Sequence, residues 1–198
     1  MGRVIAIINQ KGGVGKTTTA INLAACLAYK GKKVLLIDAD AQGNATSGVG
    51  IDKNEIEYST YDCLVESEKI KEAIIRTKYR NLSVLPASAE LSAADIELSY
   101  EEKREFFVKN AISYIVNDYD YIIIDSPPAL GLLTINIMTA SNSVLIPIQC
   151  EYYALEGLAQ LIKTVKMIKK SLNKDLEIEG IVATMFDKRT NLSQQVYD

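Results

Sequence analysis

The chain has 198 residues, 48% of them hydrophobic and 24% charged, with a net charge of −3. That length fits one α/β domain of ordinary size, and the apolar fraction excludes a disordered chain. There is no histidine, which excludes Ser-His-Asp and Cys-His nucleophilic catalysis, HExxH zinc sites and imidazole proton relays.

In chain order, strands are predicted at 3–8, 33–38, 82–86, 121–125, 143–148 and 177–185. Each is short, rich in Ile, Val and Leu, and apolar at successive positions, as in a sheet covered on both faces. Helices are predicted between them, at 16–30, 60–66, 69–76, 101–117, 132–140 and 154–172. The alternation predicts a doubly wound, mainly parallel α/β sheet flanked by helices, with ligands beyond the carboxyl ends of its strands. The charge-dense stretch 100–105 mixes both signs and reads as a solvated helix start. No linker, repeat or low-complexity tract divides the chain, so one domain over 1–198 is expected.

The N-terminus enters its first strand without a signal-peptide layout, and Ala6 stands where a myristoylation motif wants Ser or Thr. No apolar run approaches the roughly 18 residues that span a bilayer, so a cytoplasmic protein is expected. Cys26, Cys63 and Cys150 lie far apart and read as reduced core thiols. An iron–sulfur carrier would need paired cysteines. An acidic chain can bind nucleic acid only through a local patch.

The first strand runs into Asn9-Gln10-Lys11-Gly12-Gly13-Val14-Gly15-Lys16-Thr17-Thr18. Backbone N–H groups approach phosphate oxygens only where side chains do not intrude, which Gly12, Gly13 and Gly15 allow, and the following helix adds its positive N-terminus. Lys16 would reach the β and γ phosphates and the Thr17 hydroxyl would coordinate Mg²⁺. The loop departs from GxxxxGK[ST], with Gln10 at the first glycine position and an extra cation at Lys11. Spacing does not say whether Lys11 serves its own site or a neighbouring subunit's.

The segment from Lys11 to Thr18 resembles the deviant Walker A loop of the ParA/MinD ATPases. Val34-Leu35-Leu36-Ile37-Asp38-Ala39-Asp40-Ala41-Gln42-Gly43-Asn44 resembles that family's second motif, and Tyr121-Ile122-Ile123-Ile124-Asp125-Ser126-Pro127-Pro128 its Walker B. Gln149-Cys150-Glu151-Tyr152-Tyr153-Ala154-Leu155-Glu156-Gly157 is closer to the ParA/Soj partitioning branch. The resemblance implies a P-loop ATPase that uses ATP and Mg²⁺, forms a homodimer in the ATP state and binds DNA non-specifically. It also implies a ParB/Spo0J-type stimulating partner in chromosome or plasmid partitioning, and association with the nucleoid.

The same resemblance makes Lys11, Lys16 and Asp40 catalytic, with Lys11 crossing the dimer to the partner's nucleotide. It gives the nucleotide Lys11, Gly12, Gly13, Val14, Gly15, Lys16, Thr17 and Thr18. Asp125 takes the Walker B role beside Thr17, Asp38 orders the metal's water shell, and Asp40 polarises the attacking water. Phosphoryl transfer asks for positioning and charge neutralisation more than for a strong base, which suits a chain without histidine. Ala41 replaces the family's usual proline. Asn9, Gln42 and Asn44 are expected in the same switch network, and Met185 and Asp187 to border the base.

Lys163, Lys166, Lys169 and Lys170 share a helix face by spacing and read as a solvated face. Lys188 and Arg189 are the better DNA candidates, because they match a ParA/Soj segment whose arginine contacts DNA. The chain stops at Val196-Tyr197-Asp198, inside what reads as the start of a helix. Family members continue further, so a C-terminally short ATPase domain is expected. Two other readings stand beside this one. One is a MinD-like division-site ATPase, and the other is a nucleotide-binding regulator with little hydrolysis.

Overall fold

The computed structural model describes residues 2–151 and 154–189. Its elements in chain order are β1 (Arg3–Ile7), α1 (Lys16–Tyr29), β2 (Val34–Asp38), α2 (Asn44–Gly48), α3 (Thr60–Val65), α4 (Ile70–Ala73), β3 (Ile75–Arg76), β4 (Leu82–Leu85), α5 (Leu91–Leu98), α6 (Phe107–Ser113), β5 (Tyr121–Asp125), α7 (Leu132–Ala140), β6 (Ser143–Gln149), α8 (Ala154–Ser171) and β7 (Glu177–Thr184). Tyr152, Tyr153, Thr190 and the chain end at Val196, Tyr197 and Asp198 lie outside the described residues.

The strands form one seven-stranded sheet in the order β3-β4-β2-β5-β1-β6-β7, parallel except for β3 against β4. Two apolar layers cover it. On one face Ile5, Ile7, Leu36 and Ile123 pack under Ala20, Ala24 and Ala28 of α1 and Ala45 beside them. On the other, Ala6, Leu35, Ile122 and Ile124 pack under α3, α6, α7 and α8 through residues such as Leu64, Ile112, Ile137 and Leu161. Successive isoleucines of β5 therefore serve opposite layers, which is why its strand reads as an unbroken apolar run. The small i, i+4, i+8 face of Ala20, Ala24 and Ala28 lets α1 lie close to the sheet and aims its N-terminus at the end of β1.

Three expectations are corrected. The predicted helix 69–76 stops at Ala73, because Ile75 and Arg76 pair antiparallel with Val84 and Ser83 at the sheet edge. The predicted helix 101–117 is confined to α6. Its charged beginning is a turn in which Lys103 is left-handed (φ 54°) and the Arg104 carbonyl accepts from Asn136 Nδ2 at 2.6 Å. Cys63 and Cys150 are buried thiols, but Cys26 is exposed. It sits two residues from Ala24 and from Ala28, about 200° around the helix from the buried face.

Gly131 precedes α7 where a Cβ would overlap the Asp95 carboxylate, whose Oδ1 accepts the Leu133 N–H at 2.7 Å. Gly131→Ala is expected to lower the unfolding free energy by about 1–3 kcal/mol, through overpacking and loss of that bond. Urea denaturation monitored by circular dichroism measures it, and an unchanged midpoint would contradict the assigned contact.

Candidate active site

The loop between β1 and α1 is shaped by Gly13 (φ 75°) and by Gly15 (φ 87°), which is also the N-cap of α1. No side chain caps α1 and no acidic residue lies in its first turn, so its first N–H groups remain available to an anion. A Cβ added at Gly12 or Gly13 would meet nothing within 4 Å. The loop thus opens onto a cavity of about 360 Å³, lined in part by Gly12, Gly13, Gly15, Lys16, Thr17 and Thr18. Asp40, Gln42, Asn44, Pro128 and Met185 complete the lining.

Residues distant in sequence buttress the loop. Thr184 Oγ1 donates to the Val14 carbonyl (2.8 Å) and the Ile148 carbonyl (3.0 Å). Asn9 Nδ2 donates to the Pro147 carbonyl at 2.7 Å, and its Oδ1 accepts the Lys11 N–H at 2.9 Å. Val14 is buried and offers only its backbone. Lys16 is also buried, with Nζ donating to the Lys11 carbonyl at 3.1 Å. Burial holds its pKa below the ordinary lysine value, against the opposing charges of Asp125 and Asp40. The lysine thus spans its own loop, and its ammonium has a neutral carbonyl as partner.

The carboxylates take three different positions. Asp38 and Asp125 end neighbouring strands in direct register and both are fully buried. Asp38 Oδ2 accepts from Thr46 N and Oγ1, both at 2.7 Å, and Oδ1 accepts from Asp40 N at 3.2 Å. Its acceptors therefore organise the loop that follows. Neither oxygen of Asp125 has a hydrogen-bond partner. Burial, reinforced by Asp38 and Asp40, pushes the Asp125 carboxyl up to about 7, while the nearby Thr17 hydroxyl and Lys16 oppose the shift. Asp40 is only partly buried, and its Oδ1 accepts the Gln42 N–H at 3.0 Å.

These features fit a polyphosphate accompanied by a divalent cation. The open glycine cradle takes phosphate oxygens, and the two orphaned Asp125 oxygens suit a hard cation or its waters. Among the described residues no cluster of three acidic or Cys side chains could hold a metal unaided.

The other sequence candidates divide. Gln42 and Asn44 belong together, with Asn44 Nδ2 donating to Gln42 Oε1 at 3.1 Å, whereas Asn9 works on the far side of the loop. Lys11 is exposed, does not line the cavity, and pairs with Glu151. Gln10 faces α8, with Nε2 3.4 Å from Gln160 Oε1. Met185 lines the cavity in a left-handed conformation (φ 53°), and its sulfur accepts from Gln149 Nε2. Lys188 and Arg189 are exposed, and Arg189 is bidentate to Asp187 (2.9 and 2.7 Å). Lys163, Lys166 and Lys170 face solvent or its margin, while Lys169 pairs with Glu177. Thr46, Thr184 and Glu151 escaped sequence reasoning as functional supports. Glu151 lay inside a recognised motif, and Thr184 opened the ParA/Soj-like segment that carries Lys188 and Arg189.

Residues 2–178 match a family model described as an AAA domain. Over all 198 residues the chain is 58% identical to the sporulation initiation inhibitor protein Soj of Bacillus subtilis, covering 78% of it. It is 52% identical to the chromosome partitioning protein ParA of Myxococcus xanthus, covering 100% of this chain and 70% of that one. Among solved structures, cobyrinic acid a,c-diamide synthase from Mycobacterium smegmatis, with bound ATP analog and magnesium, superposes with a TM-score of 0.94 at 38% identity. That superposition covers 100% of this chain and 80% of the other.

The raised Asp125 carboxyl has a consequence for stability. The folded state holds a proton that the unfolded chain releases near the ordinary value of 3.8. The resulting stability is complete below that value and is lost as pH rises toward about 7. Without divalent cation, the parent is therefore expected to lose more than about 1 kcal/mol relative to Asp125→Asn between pH 4 and pH 7. Parallel urea titrations of both proteins would show it, and superimposable pH profiles would contradict the assigned environment.

Proposed function

The chain belongs to the Soj/ParA family of chromosome-partitioning proteins, and from that premise we propose a Mg²⁺-dependent ATPase of a single domain. In this reading it dimerises around ATP and binds DNA non-specifically in that state. The observation that carries the reading is the unpartnered, buried Asp125 beneath an open glycine loop that also presents Lys16 and Thr17.

The N–H groups of 12–17 and the α1 N-terminus hold the phosphates of ATP, with Lys16 on the β and γ groups. Thr17 and Asp125 would hold Mg²⁺, and Asp38 backs its water shell while fixing the Asp40 loop. Held by Thr17 and Asp125, the cation would supply charge neutralisation for the phosphate oxygens. Asp40, at the cavity wall, orients the attacking water. Met185 and Asp187 border the base.

Lys11 supplies the second cation. In the single chain it is held by Glu151 and turned from its own cavity, which supports a role across a dimer interface, at the partner subunit's nucleotide. Dimerisation would double the Lys188 and Arg189 segment and give an acidic protein a DNA-binding face. A ParB/Spo0J-type protein would stimulate hydrolysis and so release the dimer from DNA. The protein would then be cytoplasmic and nucleoid-associated. No helix among the described residues is long and apolar enough to cross a membrane.

Lys16→Ala is expected to abolish ATP binding by calorimetry. Asp40→Ala should keep ATP affinity and slow single-turnover hydrolysis about 100-fold, through lost water positioning. An Asp40→Ala protein hydrolysing at the parent rate would leave that residue a turn former only.

Mixing tests the crossing lysine. Lys11→Ala alone should bind ATP but neither dimerise well nor hydrolyse. Combined with Asp40→Ala, it should regain activity, because one site of the mixed dimer joins an intact Asp40 to a borrowed Lys11. Mixed dimers that form but stay inactive would overturn the trans assignment.

A further inference from the structure

The far end of α1, about 20 Å from the phosphate loop at 1.5 Å per residue, lines a second hollow. Its volume is about 980 Å³, against about 360 Å³ for the loop cavity. Ala25, Ala28 and Tyr29 of α1 form one side and Tyr79 and Asn81 of the β3–β4 turn the other, with Lys30, Lys78 and Arg80 beside them. A mainly apolar hollow with a few polar groups has the build of a small-molecule site.

The charge here is unbalanced. Lys30, Lys32, Lys33, Arg76, Lys78 and Arg80 are six of the 22 basic residues in a chain with 25 acidic ones. The segments 25–34 and 75–83 that carry them contain no acid. Two aspartates face this end of the sheet. Asp120 Oδ2 accepts the Lys33 N–H at 2.8 Å, and Asp118 lines the adjoining hollow with Lys33 and Arg76. Among the described residues, none of Lys30, Lys78 and Arg80 is in an ion pair.

A helix C-terminus ordinarily repels anions, but the last carbonyls of α1 are occupied. Cys26 O accepts from Lys30 N (3.1 Å), Leu27 O from Lys32 N (3.1 Å), and Ala28 O from Gly31 N (2.9 Å) and Asn81 Nδ2 (3.4 Å). Tyr29 is 95% exposed and Tyr79 46% exposed, so both rings reach solvent. Lys78 Nζ lies 5.4 Å from the Tyr79 centroid.

We propose that this cleft is a second ligand site, separate from the phosphate loop, for an aromatic phosphate of the nucleotide class. The base stacks on the tyrosine rings, and the phosphate sits among Lys30, Lys78 and the planar fork of Arg80. Cations alone would suit any acidic partner; the two tyrosine rings among the lining residues favour a planar base. The nucleotide can be free or part of a strand, since both present the same unit.

The test uses the Lys16→Ala protein, in which the phosphate loop is disabled, so failure of the loop assignment and failure of this site remain distinguishable. AMP, adenosine, ribose 5-phosphate and a fluorescent oligo-dT are titrated by calorimetry or anisotropy. AMP or the oligonucleotide should bind, and adenosine and ribose 5-phosphate should each bind more weakly than AMP. Affinity should fall at least tenfold in Lys78→Glu/Arg80→Glu and also in Tyr79→Ala, with the far-ultraviolet circular dichroism of each variant matching the parent. AMP binding identifies a free nucleotide as sufficient, and oligonucleotide binding without AMP identifies a strand.

Three results overturn the proposal. They are no binding of either probe, binding indifferent to the cleft variants, and equal binding of poly-glutamate that Tyr79→Ala does not weaken.

Discussion

Two carboxylates are buried side by side at the carboxyl edge of the sheet, and the fold satisfies only one of them. The register Asp38↔Asp125 follows from placing β5 between β1 and β2, and it removes both groups from water. Burying an unpaired carboxylate is costly enough that the group answers by holding its proton, as Asp125 does. Asp38 escapes the full cost by taking three hydrogen bonds, which also determine where Asp40 and Thr46 stand. One aspartate thus shapes a loop, while its neighbour is left unsatisfied, as the proposed Mg²⁺ role requires.

The phosphate loop depends on the other side of the same edge. Its glycines give the backbone freedom, and freedom alone would leave the loop loose. Thr184 on β7 and Asn9 against β6 tie it to strands on one side of β1, while Asp125 lies on β5 at the other. A Cβ at Gly15 would meet Thr184 Cγ2 at 3.4 Å, an ordinary van der Waals contact, so it is the positive φ of 87° that calls for glycine. The cradle is consequently preorganised, and little ordering entropy is left to be lost when phosphates arrive.

The central sheet was legible because strands covered on both faces read as apolar runs, and β5 and α7 agree with expectation residue for residue. The misses have tertiary causes. α5 carries only Leu91, Ala94 and Leu98 as buried anchors, at i, i+3 and i+7, while its Ile96 is exposed, a pattern too thin to stand out. The Ile75-Arg76 strand exists because an edge was available to pair with, and nothing local announces that. At the site, glycine spacing and strand-end aspartates exposed the loop and the carboxylates. Thr184 and Glu151 meet their partners across 170 and 140 residues of sequence. One chain read alone carries no signal for such contacts.

The cations of the proposed mechanism differ in how they are held, and the difference follows their expected use. Lys16 is buried and bridges a carbonyl of its own loop, a neutral partner that a phosphate replaces at little electrostatic cost. Lys11 and Arg189 instead rest on partly exposed carboxylates, Glu151 and Asp187. Exposed ion pairs contribute little and are screened by salt, so each pairing orients its cation without committing it. A triphosphate or a nucleic-acid backbone presents several charges at once and outcompetes a single carboxylate. In the proposed mechanism, burial therefore dedicates Lys16 to one site, whereas surface pairing keeps Lys11 and Arg189 available to whichever phosphate comes within reach.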